Sequence, residues 1–99
     1  MITLEDKTYD NLVKGLKGLI ETANIQFGFV TEKSISSRIR AIRYASLRQT
    51  YDVIYGMYNV LYGMKLKDGS FIADKCEMNL IIEEIEKIKK EMGKVRNKL

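Results

Sequence analysis

The side chains with chemistry to offer in this chain are tyrosines, arginines and carboxylates, together with a single thiol. There are six Tyr, one Cys and no His. Without His, Ser-His-Asp triads, Cys-His dyads and imidazole metal sites cannot be built. Cys76 stands alone, so neither an internal disulfide nor a thiolate zinc site can form. It lies in an apolar stretch, and the spacing predicts a small core hydrophobe. Glu83, Glu84 and Glu86 are interleaved with lysines and read as solvated surface, and no carboxylate set sits beside a Gly-rich phosphate loop. The expectation is therefore a protein that is not an enzyme, with no cofactor, no metal and no small-molecule substrate.

Two groups of residues point to binding. Tyr44, Tyr51, Tyr55, Tyr58 and Tyr62 fall in one stripe of a helical wheel at ~100° per residue. Tyrosines in such a row pack with their hydroxyls at a wet edge, or they serve as partner-binding anchors. Less often they stack bases beside cationic groups. The second group is basic. Lys33, Arg38, Arg40, Arg43 and Arg48 occur in residues 33–50 with no acid among them. Four phosphate contacts from such a block would give a salt slope of about −3.6 on duplex DNA. The arginines spread around the wheel, however, and no helix-turn-helix, ribbon or RNP signature accompanies them. A solvated basic face is the plainer alternative.

Composition sets the frame for these residues. The chain has 99 residues, a net charge of +4, 45% apolar and 30% charged residues, which suits one soluble globular domain spanning 1–99. The longest apolar run falls far short of the ~20 residues of a membrane span. A charged start without an apolar signal core, and a lone reduced Cys, lead to the expectation of a cytoplasmic protein.

The elements that must position these groups are helical. Tyr9, Leu12, Val13, Leu16, Leu19, Ile20 and Ala23 recur three and four apart, so the spacing predicts a first helix over 4–24, opened by a Thr3/Asp6 capping box. Gly15 and Gly18 either weaken it or admit a close neighbour. Residues 25–31, with Ile25, Phe27 and Phe29 alternating, predict a short strand or extended loop. Thr31 or Ser34 would cap a long second helix over 34–64. This helix carries a repeated heptapeptide, YDVIYGM then YNVLYGM. Its wheel shows an apolar stripe of Ile35, Ile39, Ile42, Val53, Met57, Val60 and Met64. The tyrosines lie roughly opposite, with a small-residue seam that includes Gly56 and Gly63 between them. A helix so apolar must be enclosed on several sides. Asp68-Gly69 admits a small β-hairpin at 64–73. A last helix from 71 or 75 to 97 carries Met78, Ile81, Ile85, Ile88, Met92, Val95 and Leu99 as a narrow coiled-coil-like seam, with Glu83–Lys87 and Glu86–Lys90 pairs on its face.

The sequence thus predicts a mainly all-α, three-helix antiparallel bundle with a long central helix. The expected function is non-enzymatic binding, regulating or inhibiting a macromolecular partner through helical surfaces as a homodimer. The dimer would form through the Tyr/Gly face or the C-terminal seam, and the partner-binding residues would be Tyr44, Tyr51, Tyr55, Tyr58 and Tyr62. The alternative is a nucleic-acid-binding regulator that uses Lys33, Arg38, Arg40, Arg43 and Arg48. No motif identifies a family.

Overall fold

The computed structural model describes residues 3–99. Three helices, α1 (Asp6–Val30), α2 (Ser37–Tyr62) and α3 (Cys76–Arg96), run up, down and up. The bundle is a rod with extents of 52 × 19 × 19 Å. At ~1.5 Å per residue the 26 residues of α2 span about 39 Å of that length.

α1 is longer than its sequence suggests. The alternation of Ile25, Phe27 and Phe29 reads locally as extended, but Ile20, Ala23, Phe27 and Val30 continue the three-four step toward the core. Burying Ala23 and Val30 completely outweighs the local pattern, and the helix runs on to Val30. Ile25 and Phe29 are left exposed. The capping box does not form: Glu5 is the N-cap without a side-chain bond, and Thr3 lies in a strand. Gly15 and Gly18 have no neighbour within 4 Å of where a Cβ would sit, so they make no close approach.

α2 is capped by Ser36, whose Oγ accepts the Ile39 amide at 3.2 Å, and not by Thr31 or Ser34. Its core side is Leu47, Tyr51, Ile54, Tyr58 and Leu61. The expected apolar stripe is therefore the wrong side. Ile39, Ile42, Val53 and Val60 are 44%, 65%, 53% and 59% exposed, while Met57, Met64 and the pre-helical Ile35 are half-buried. α1 and α3 meet this helix along the tyrosine side, and the larger rings fill the groove between them.

α3 spends its seam within the chain. Met78, Ile81, Ile85, Ile88, Met92 and Val95 are buried in the same core as α1 and α2, so this seam is not free for a coiled-coil partner. The Glu83–Lys87 and Glu86–Lys90 pairs do not close among the described residues, and Lys94–Glu91 at 3.5 Å forms on this helix instead. Cys76 opens α3 and is exposed, contrary to the core role expected for it. At the same end, buried Tyr9 donates to the Glu77 carboxylate at 2.6 Å.

The 64–73 segment does turn back as a tight hairpin. The Leu66 amide donates to Ser70 O at 2.9 Å and Ile72 N to Met64 O at 3.2 Å, around a single Lys65–Phe71 bridge. Gly69 sits at φ +90°, where a side chain is strained. Asp68 Oδ1 accepts both the amide and hydroxyl of Ser70, at 2.8 and 2.6 Å. These bonds lower the Asp68 pKa. A pairing invisible to local sequence joins β1 (Thr3–Leu4) to β2 (Lys65–Leu66) in parallel, and Ile72–Asp74 adds a 3-10 turn before α3.

Candidate binding surfaces

The tyrosine row splits by depth. Tyr51 and Tyr58 are buried core residues, Tyr44 is half-buried, and Tyr55 and Tyr62 are exposed. Each exposed ring lies on a buried one: Tyr55 stacks on Tyr51 with centroids 6.0 Å apart, and Tyr62 meets Tyr58 at 5.7 Å. Such aromatic pairs hold their geometry at ~0.5–1.5 kcal/mol beyond area burial. Burial raises the pKa of Tyr51 and of Tyr58, so both phenols stay protonated through neutral pH.

The basic block is largely occupied with the fold. The Arg40 guanidinium donates to Val30 O at 3.0 Å and to Glu32 O at 2.7 Å. Arg43 donates to Phe29 O at 3.0 Å and to the Glu32 carboxylate at 2.7 Å, with its guanidinium 5.9 Å from the Phe29 ring centre. Two arginines thus satisfy the orphan carbonyls at the end of α1 and pin the corner to α2. This suits the negative end of the helix dipole. Arg48 pairs with Asp52 at 3.2 Å. Lys33 and Arg38 are exposed and make no ion pair within 4 Å among the described residues. The five bases of 33–48 do not come together as one phosphate grip.

What the fold does assemble is a cleft between α2 and α3. It has a volume of about 290 Å³ and is lined by Tyr44, Arg48, Tyr51, Lys89, Met92, Gly93 and Arg96. Three cations and two phenols converge there, and no carboxylate is among the lining side chains. Asp52 hydrogen-bonds the Arg48 Nε and, with the Tyr44 oxygen, raises the Arg48 pKa, so that group stays charged. Gly93 leaves open space where a side chain would stand. Tyr44, Arg48 and Tyr51 came from the sequence, but Lys89 and Arg96 did not. Their seven-residue spacing on one face of α3, with Gly93 between, is the signal that could have found them.

A second surface lies on the outward side of α2. Between Val53 and Met64 there is no charged residue, yet Val53, Tyr55, Gly56, Asn59, Val60 and Gly63 are exposed. Gly56 and Gly63 meet no side chain within the chain. Beside this strip, an apolar groove of about 390 Å³ runs between Leu12 of α1 and Met57, Val60 and Met64 of α2.

Among the described residues no group of three or more Cys, Asp and Glu gathers closely enough to hold a metal ion, and no helix is long and apolar enough to cross a membrane. No protein-family model, curated protein or solved structure matches the chain.

Proposed function

We propose that this protein is a non-enzymatic binding protein that regulates or inhibits a macromolecular partner by docking an acidic protein surface on the aromatic and basic face of α2 and α3. The observation that supports this reading is the α2–α3 cleft, where Arg48, Lys89 and Arg96 converge beside Tyr44 and Tyr51 with no lining carboxylate. Tyr and Arg are the residue types enriched in interaction hot spots. The exposed rings of Tyr55 and Tyr62 continue the face along α2, each held by a buried ring beneath it. Rings fixed in this way lose little entropy on binding.

The nucleic-acid alternative is disfavoured by Arg40 and Arg43, whose guanidinium groups already serve the end of α1. The two readings part under salt. A photo-crosslinker at Tyr62 in cells of the source should trap one defined acidic protein. Lys89→Glu with Arg96→Glu should abolish that product while helicity is unchanged. Oligonucleotide binding that weakens steeply between about 50 and about 200 mM salt would favour the alternative instead. A crosslinked product indifferent to the charge reversals would remove the cleft from the account.

A further inference from the structure

The outward side of α2 differs from every other helix surface on the molecule. α1 presents Lys7, Asp10, Lys14, Lys17 and Glu21 to solvent, and α3 presents Glu83, Glu84, Lys87, Lys90 and Lys94. α2 presents a stripe that begins at Ile39 and ends at Gly63. Its members are residues 39, 42, 46, 49, 53, 56, 60 and 63, all exposed. The steps alternate between three and four residues, the period of a helix–helix seam. A face of this kind left in water is an interaction surface or a liability.

We propose that a second copy of this chain covers that face, α2 against α2, antiparallel about a two-fold axis that passes between Gln49 and Val53. The argument is self-complementarity. The alternating steps read the same in both directions, so the reversed stripe stays in phase with itself along its whole length. In that register Ile39 meets Gly63 of the other copy, Ile42 meets Val60, Ser46 meets Gly56, and Gln49 meets Val53. Ile39 lies opposite a residue with no side chain, Ile42 and Gln49 each face a valine of similar volume, and small Ser46 faces Gly56. Gly56, which nothing in the single chain approaches, and Gly63, which meets only the backbone carbonyls of Val60 and Asn59 at 3.8 and 3.9 Å, acquire the close neighbour that justifies them in mid-helix and at its end.

Charge points to the same occupant. The stripe carries no charge of either sign, so it calls for neither an acidic nor a basic partner. Two chains of net charge +4 each repel least where they meet through an uncharged strip. Asp52 flanks the axis, and its Arg48 ion pair at 3.2 Å neutralises it where its own copy comes near.

The extent is sufficient for a weak, specific dimer. The stripe is about 36 Å long and about 10 Å wide by helix dimensions. Over both copies that is on the order of 700 Å², and the flanking Met57 and Met64, with Phe29 of α1 beside Ser46, carry it toward ~1,000–1,200 Å², the low end of specific interfaces. The expected dissociation constant is on the order of 1–100 µM. The dimer stripe and the α2–α3 cleft share no lining residue and border each other at the Arg48–Asp52 pair, so either can fail without the other.

The test is sedimentation velocity from about 1 to about 300 µM, which brackets that range. The parent chain should pass from monomer to dimer. Val53→Glu, an exposed position beside the axis, should weaken the dimer by about 100-fold or more with an unchanged helical circular-dichroism spectrum. If that variant loses helicity, Val60→Glu serves the same purpose. Register is read by mixing Gln49→Cys chains with Val53→Cys chains, both also carrying Cys76→Ser, under mild oxidation. The mixed disulfide should form, whereas Ile42→Cys mixed with Val53→Cys should not crosslink. A parent that stays monomeric throughout, a dimer indifferent to Val53→Glu and Val60→Glu, or the inverse crosslinking pattern would each overturn the proposal.

Discussion

Tyr9 shows how much one buried hydroxyl can do. It is 3% exposed, and among the described residues the polar partner of its hydroxyl is the Glu77 carboxylate at 2.6 Å, which ties the start of α1 to the start of α3. Removing the hydroxyl by Tyr9→Phe should cost about 1.5 kcal/mol, the low end for a hydrogen bond to a charged group because Glu77 is half-exposed. The Tyr9 bond is the first cause of a lowered Glu77 pKa. A carboxyl with a lowered folded-state pKa adds stability above its ordinary value of 4.5, and that share disappears as pH falls through the folded value. The gap between parent and variant in urea midpoint should thus be wide at neutral pH and narrow as pH falls below the ordinary carboxyl value of 4.5 and through the lowered folded one. A gap that stays constant would show that the bond does not set the Glu77 proton.

At the scale of the element, the corner between α1 and α2 depends on Arg40 and Arg43. Arg40→Ala frees the Val30 and Glu32 carbonyls and should speed amide hydrogen exchange over residues 28–36, leaving α3 protection intact. Gly15→Ala and Gly18→Ala should each stabilise α1 by about 0.5–1 kcal/mol, since both sites are open and helical. Gly69→Ala should destabilise by a similar amount because of its φ of +90°. Thermal or urea denaturation checks all three. These elements also show what a linear reading can and cannot supply. The seam of α3 was legible because a narrow three-four stripe on a charged helix has only one side to bury. α2 carries two competing apolar stripes, Ile/Val and Tyr, and local pattern cannot choose between them. The choice is made by α1 and α3, whose groove takes Tyr51 and Tyr58. The extension of α1 through Phe27 and Val30 was hidden by the alternation of Ile25, Phe27 and Phe29. The β1–β2 pair was hidden by its separation in sequence. Of the α2–α3 cleft, the half on the tyrosine helix was legible and the half on α3 was not.

Over the whole molecule, the buried phenols set an alkaline limit. Burial is the first cause of a raised pKa at Tyr9, Tyr51 and Tyr58, and each departs upward from the ordinary value of 10.0. Groups whose folded pKa is raised give stability that is complete below the unfolded value and lost as pH rises toward the folded one. Denaturant midpoints should therefore hold to about pH 10 and fall beyond it, and in a chain with Tyr44, Tyr55 and Tyr62 replaced by Phe the remaining tyrosinate absorbance should rise in step with loss of helicity. Absorbance that rises before any unfolding would show the phenols to be accessible. The rod form, 52 Å long and 19 Å across, carries a consequence for transport in solution. Two rods joined flank to flank along their long helices gain girth and not length. Their shape-dependent drag should drop toward that of a sphere as they associate, whereas rods joined tip to tip would become more drawn out and sediment more slowly for the same mass.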